Sequence, residues 1–258
     1  MGKKEDVIQE VFDKCVKDNE YIFNNDLVKK VCLKHGFKNP FDLTKIDNSK
    51  KLPKFLKDED FFIVHLGKGF HRFVKGVDIG LHKFEDIPAE RYFPWKYRKS
   101  ILNEYDTSES NILSVVTNQR IIHDFLYNDI VANPRVYLSR RTQIDMEYYI
   151  DKIPIKAYNQ QMEIDLTYEY NSNVTVFEGK NNFPNDFAVF QLFNPNYYFN
   201  IQKKTNNLPI NEITCCYVLR KKFRGTSLVR IYLYKFLDYK QMNSIKLIKN
   251  AQYELIVR

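Results

Sequence analysis

The stretch from Met162 to Asn181, MEIDLTYEYNSNVTVFEGKN, constrains the fold more than any other part of the chain. Met162, Ile164, Leu166, Tyr168 and Tyr170 alternate with Glu163, Asp165, Thr167 and Glu169, which is the two-residue period of a strand with one apolar face. Asn171-Ser172-Asn173 is a cluster of turn formers, and Val174 to Lys180 reads as a second strand. The two runs make a hairpin. A loop of two residues (Asn171, Ser172) or four (Tyr170 to Asn173) places Asp165 opposite Glu178 and Glu163 opposite Lys180. A three-residue loop without a bulge would put Asp165 and Glu178 on opposite faces, because a one-residue slip inverts every side chain.

Asp165, Glu178 and Lys180 form a chemically coherent set. Two carboxylates bind a hard divalent cation through oxygen, and Mg²⁺ keeps waters that can be polarised toward attack on phosphorus. A lysine beside them adds positive charge where negative charge builds up in a phosphoryl transition state. A Glu and a Lys two apart on a half-exposed strand also occur on ordinary decorated sheets, so E-x-K by itself is weak.

The surrounding pattern is more specific. Ile164-Asp165, twelve residues, then Glu178-Gly179-Lys180 resembles the PD-(D/E)XK nuclease superfamily. The fuller pattern resembles type II restriction endonucleases, in which a strand ending in E-x-K-N leads to a helix carrying Q-L-F or Q-L-Y, here within Asp186 to Phe193, DFAVFQLF. The resemblance covers roughly residues 140 to 258. It implies an α/β (α+β) fold with a restriction-endonuclease-like mixed β-sheet core flanked by helices. It also implies Mg²⁺-dependent hydrolysis of double-stranded DNA, with Mn²⁺ able to substitute. Asp165 and Glu178 match the metal ligands, joined by the backbone carbonyl of Gly179, and Lys180 matches the catalytic lysine. Gln191 would face the site from the following helix. Such nucleases carry a further acidic residue in some cases, for which Glu147 is the first candidate and Glu163 the second. The implied setting is a restriction-modification system with a DNA methyltransferase as functional partner, and cutting both strands calls for a homodimer or two successive events. The chain departs from the pattern at Ile164, where proline is nominal, and at Gly179, where Ala or Val is common. A repair or junction-resolving nuclease of the same superfamily, or a DNA-binding regulator without catalysis, are the competing classes.

Composition agrees with a phosphate-bearing partner. The formal net charge is +8 over 258 residues, and basic side chains release condensed counterions when they meet nucleic acid. Cys15, Cys32, Cys215 and Cys216 show no C-x-x-C spacing, which argues against a zinc framework or disulfide scaffold and for a reducing compartment. Cys32 and His35 lack a second well-spaced pair, so zinc is not expected. The N-terminal residues MGKKEDVIQE carry no apolar h-region, Asp6 stands where a myristoylation signal wants Ser or Thr, and no run approaches a membrane span. The expected location is the cytoplasm. No G-x-x-x-x-G-K-[ST] occurs, so ATP-driven translocation is not expected.

Two prolines in Asp86 to Pro94 divide the chain into 1–86 and 87–258. Upstream, Val7, Ile8, Val11, Phe12, Cys15 and Val16 recur at helical spacing. Asp26 to His35 fits a second helix, with Asn25 as candidate N-cap and Gly36 as the stop. A third helix fits Lys50 to Leu56, limited by Pro53. Asp60 to Val74 reads as a hairpin around Gly67-Lys68-Gly69. Three helices and a hairpin resemble a winged helix, whose DNA contacts here would come from Lys45, Lys50, Lys51, Lys54, Lys57, Lys68 and Arg72. The bland alternative is a helical subdomain with solvated lysines.

Between these regions, Ser110 to Tyr127 reads as one long helix capped by Thr107 or Ser108. Arg135, Arg140 and Arg141 read as a loop or short strand able to touch DNA. Glu212 to Arg220, Ser227 to Leu237 and Ser244 to Val257 read as the remaining strands, with Lys221 and Arg224 on a basic turn that could reach the DNA backbone. The many Tyr and Phe sit at apolar strand positions and read as core.

Overall fold

The computed structural model describes residues 3–98, 100–102, 108–223 and 226–257, so Thr107 and Arg224 lie outside the described residues. The N-terminal region runs α1 (Lys3–Asp18), β1 (Ile22–Asn24), α2 (Asn25–His35), α3 (Lys54–Asp58), β2 (Phe61–Gly67) and β3 (Phe70–Lys75). Its three strands form one antiparallel sheet in the order β1-β3-β2. α1 buries Val7, Ile8, Val11, Phe12 and Cys15, while Val16 is exposed. Glu10 ties α1 to α2, meeting Lys34 and His35 at 2.8 Å each. Those hydrogen bonds, with one from Lys14, pull its pKa down to about 2.

The N-cap of α2 is Asn24, whose Oδ1 accepts from the Leu27 N–H at 3.0 Å, and not Asn25. Gly36 stops the helix with φ 63°, the left-handed cap that glycine permits. α3 starts only after Pro53, later than Lys50, because a proline interior to the helix would lose a hydrogen bond and clash. β1 escaped the sequence pattern because its three residues are too few to show a period.

Next come α4 (Val77–Gly80), β4 (Leu81–Lys83), β5 (Tyr92–Tyr97), α5 (Glu109–Asn118) and α6 (Ile121–Tyr127). The expected single helix over 110–127 is therefore two. Arg120 between them has φ 61°, a left-handed conformation that cannot continue a right-handed helix. Ser108 is the cap of α5, its Oγ accepting from the Asn111 N–H at 3.3 Å.

The rest of the chain is β6 (Arg135–Ile150), β7 (Ile153–Tyr170), β8 (Asn173–Asn181), β9 (Asp186–Ala188), α7 (Phe190–Thr205), β10 (Ile213–Phe223), β11 (Thr226–Phe236) and β12 (Ile245–Val257). Seven strands form one mixed sheet in the order β5-β12-β11-β10-β8-β7-β6. β8 and β10 are parallel and joined through α7, and β4 pairs with β9 in a small separate ladder. The fold is thus α/β with a large mixed sheet. Arg135, Arg140 and Arg141 sit not in a loop but within the sixteen-residue edge strand β6, paired along β7.

The β7–β8 hairpin has the two-residue loop. Tyr170 pairs with Asn173, Leu166 pairs with Phe177, and Asn171 and Ser172 have φ 49° and 60°. Two positive φ values give the turn whose twist matches that of the flanking strands.

Two apolar layers cover the sheet. One face packs α5 and α6, through Ile112, Val116 and Ile122, onto Leu166, Tyr168, Phe177 and Ile231. The other carries α7 and the N-terminal region in one continuous core running from Val7 and Leu56 to Met146, Phe193 and Tyr217. The hairpin β2–β3 packs so closely on β7 that a Cβ built on Gly67, at φ 77°, would lie 1.9 Å from the Tyr158 carbonyl oxygen. Gly67→Ala is therefore expected to destabilise the protein by about 2–4 kcal/mol through strain and displaced packing. Thermal unfolding checks this, and an unchanged midpoint would mean that the hairpin does not bear on β7. No helix among the described residues is long and apolar enough to cross a membrane.

Candidate functional site

The β7–β8 ladder ends at Leu166 and Phe177, so the strands part at the next pair, Asp165 and Glu178. β8 keeps its bonds to β10 on the other side, where Glu178 pairs with Tyr217 and Lys180 with Leu219. In place of a ladder bond, the Gly179 N–H donates to Asp165 Oδ2 at 3.2 Å. The gap opens a cleft of about 700 Å³ lined by Asp165, Glu178, Lys180 and Gln191.

Lys180 Nζ meets Glu178 Oε1 at 3.1 Å and Glu109 Oε2 at 2.7 Å. Gln191, in the first turn of α7, donates from Nε2 to Glu178 Oε1 at 2.8 Å. Tyr217 in turn donates its hydroxyl to Gln191 Oε1 at 3.2 Å. Glu178 is only 8% exposed, and this decides its electrostatics. Burial, with Asp165 nearby, pushes its pKa up to about 8 against the pull of Lys180. Burial also raises the Asp165 pKa, opposed by the Gly179 N–H and by Lys180. For Lys180, burial works downward, yet Glu178 and Glu109 outweigh it and hold the ammonium above the usual lysine range.

The expected core set, Asp165, Glu178, Lys180, Gly179 and Gln191, stands together. Glu163 lines the same cleft, half-exposed and paired with Arg141 at 3.4 Å. Glu147 lies elsewhere, paired with Lys156 across the β6–β7 hairpin at 3.1 Å. The carboxylate that does join the cluster from a preceding helix is Glu109, which no sequence motif marks. Its only signal is an acidic residue directly after the Ser108 cap, where the helix dipole favours it. Tyr217 gives no local signal, since the parallel register of β10 on β8 brings it in. Gly179 has a packing reason to lack a side chain, as a Cβ there would lie 3.2 Å from Leu113 Cγ and 3.3 Å from the Glu109 carbonyl oxygen.

The basic residues disperse. Lys45 lines the cleft. Lys51 pairs with Asp47, and Lys50 and Lys54 are exposed around the start of α3. Lys57 is exposed on α3. Lys68 caps the β2–β3 hairpin, where Arg72 donates to the Pro154 carbonyl at 3.3 Å. Arg140 lies over the Tyr198 ring at 4.9 Å, in a different groove. Lys221 lies over the Phe223 ring at the end of β10.

Among the described residues, no three His, Cys, Asp or Glu side chains are grouped to hold a metal ion. The Asp165 and Glu178 carboxylates are oxygen donors of the kind that suits Mg²⁺ or Mn²⁺. The raised Glu178 pKa fits such an ion, because a buried carboxylate beside another acid is a place where added positive charge is favourable.

A family model described as Domain of unknown function (DUF6997) matches residues 80–254. The chain belongs to this family. Its DUF6997 part contains Glu109, Asp165, Glu178, Lys180, Gln191 and Tyr217. A second model, Domain of unknown function (DUF6996), matches residues 5–73, which takes in α1 through most of β3. No curated protein and no solved structure matches the chain.

Proposed function

We propose that this DUF6997 protein is a Mg²⁺-dependent DNA endonuclease of the PD-(D/E)XK type, acting as a type II restriction enzyme. The observation that carries the reading is the meeting of Asp165, Glu178, Lys180 and Gln191 where β7 and β8 part. A divalent cation held by Asp165, Glu178 and the Gly179 carbonyl would supply Lewis acidity toward a phosphoryl oxygen and a bound water of lowered pKa. The chain's own groups do the rest. Glu109 and Glu178 hold the Lys180 ammonium in place and charged, so it can steady the negative charge that develops at phosphorus. The Gln191 amide fixes the Glu178 carboxylate, and the Tyr217 hydroxyl fixes the amide. Burial of this chain keeps its geometry rigid before substrate arrives.

The N-terminal region supports DNA binding by its order of elements. A three-stranded sheet β1-β3-β2 behind α1, α2 and α3 resembles a winged helix, although α3 is only five residues long. Double-stranded DNA is the proposed substrate, a methyltransferase the functional partner, and a dimer the means of cutting both strands.

Digestion of a long, sequence-diverse, unmethylated duplex tests the reading. Discrete fragments in Mg²⁺, lost in EDTA, are the expected result. Binding with no cleavage under any metal or salt condition would overturn it in favour of a DNA-binding regulator, and fragments without sequence preference would favour a repair-type nuclease.

A further inference from the structure

The cleft has two sides. Below lies the carboxylate cluster, and above lies the N-terminal region, which contributes Phe41, Lys45 and His65. The two sides are held at fixed distance. The Asp186 carboxylate, itself buried, accepts from the Ser49 N–H at 2.6 Å, and the Ala188 N–H donates to the Asp47 carbonyl at 2.8 Å. The N-terminal region is thus a wall of the site. At about 700 Å³ the cleft falls within the roughly 300–1,000 Å³ of pockets that enclose one small ligand. That is room for one nucleotide inside the cleft.

The lining has the chemistry of base recognition. Phe41 is 64% exposed at the cleft, and Phe190 sits inside with its ring edge-on to His65 at 6.0 Å between centroids. Gln160, Gln161 and Asn194 add amides. Aromatic faces that stack a base, with amides that bond its edge, are the means by which proteins hold an unstacked nucleobase. One amide is incompletely used: Gln160 Nε2 donates to the Gln161 carbonyl at 2.9 Å, while its buried Oε1 accepts from no described residue. That oxygen is closed off from the cleft as the side chain stands, so an exocyclic base amine would supply the donor once the amide turns toward it. Lys45 adds a charge suited to a neighbouring phosphate.

Resting on the nuclease reading above, we infer that this cleft takes one unpaired nucleobase, stacked on the exposed ring of Phe41 and bonded at its edge by the glutamine amides, with its phosphate at the carboxylate cluster. The base would come either from a duplex, by extrusion, or from a single strand.

The test measures binding of full-length protein in EDTA. The probes are a duplex with one 2-aminopurine opposite an abasic site, the same duplex fully paired, and the single strand, followed by anisotropy and 2-aminopurine fluorescence. The unpaired probe is expected to bind at least about tenfold tighter than the paired one. Phe41→Ala and Gln160→Ala should remove that preference while leaving paired-duplex binding and thermal unfolding unchanged. A single strand that outcompetes both duplexes would assign the base to single-stranded substrate; otherwise extrusion is the source. Equal binding of paired and unpaired probes, or a preference that survives in both variants, overturns the inference. The readout needs no cleavage, so a retained preference without any nuclease activity would overturn only the nuclease reading. Cleavage with no preference would overturn only the base pocket.

Discussion

Lys180→Ala protein is expected to lose Mg²⁺-dependent DNA cleavage by about a thousandfold or more, the scale seen when one preorganised charge-stabilising group is removed. The ammonium stands between the Glu178 and Glu109 carboxylates at 3.1 and 2.7 Å, so its position is fixed before substrate binds. Single-turnover cleavage, beside DNA binding in EDTA, separates its role from a structural one. A lysine that only neutralises its neighbours would, on removal, weaken folding and spare the chemical step. Cleavage within about tenfold of the unaltered protein would remove Lys180 from the mechanism.

Glu178→Gln should combine lost cleavage with gained stability. The folded-state pKa of Glu178 is about 8 against an ordinary 4.5, chiefly because the carboxylate is buried. The folded state therefore binds the extra proton between those values, and stability is full below about pH 4.5 and falls as pH rises toward 8. Glutamine keeps an oxygen to accept from Gln191 and Lys180 but carries no charge to bury. The variant should match the unaltered protein near pH 4.5 and exceed it near pH 8.5 by on the order of 2–4 kcal/mol. Thermal unfolding in EDTA at both pH values measures this. A variant less stable at high pH would show that the ion pair with Lys180 outweighs burial.

The hairpin and its register were legible because both signals are local. Alternation from Met162 to Tyr170 and the Asn171-Ser172 turn suffice to bring Asp165 beside Glu178, and Lys180 follows two residues on. Gln191 was within reach because α7 begins only nine residues after β8, with the short β9 between them. Glu109 was not, since it arrives from a helix about seventy residues earlier, set in place by packing against Gly179. The extent of β6 around Arg135, Arg140 and Arg141 is not legible, because an edge strand exposed over most of its first half carries little apolar alternation, and Ile144 to Met146 contains a bulge. The break between α5 and α6 falls at Gln119-Arg120, with no Gly or Pro to announce it. Which of the scattered lysines and arginines share a surface is a tertiary property. Among the described residues of that group, only Lys45 lines the cleft.

The two family models meet between residues 73 and 80, yet the fold does not divide there. β4 pairs with β9, and the Asp47 carbonyl and the Ser49 N–H bond across to Ala188 and Asp186. A single apolar core runs beneath both parts. Swapping one part for a relative's would rebuild the contacts that seat the buried Asp186 and would reshape the roof over the carboxylates. Any change in what such a protein recognises therefore has to arise within an intact pair, because the seam visible in sequence is an interior in three dimensions.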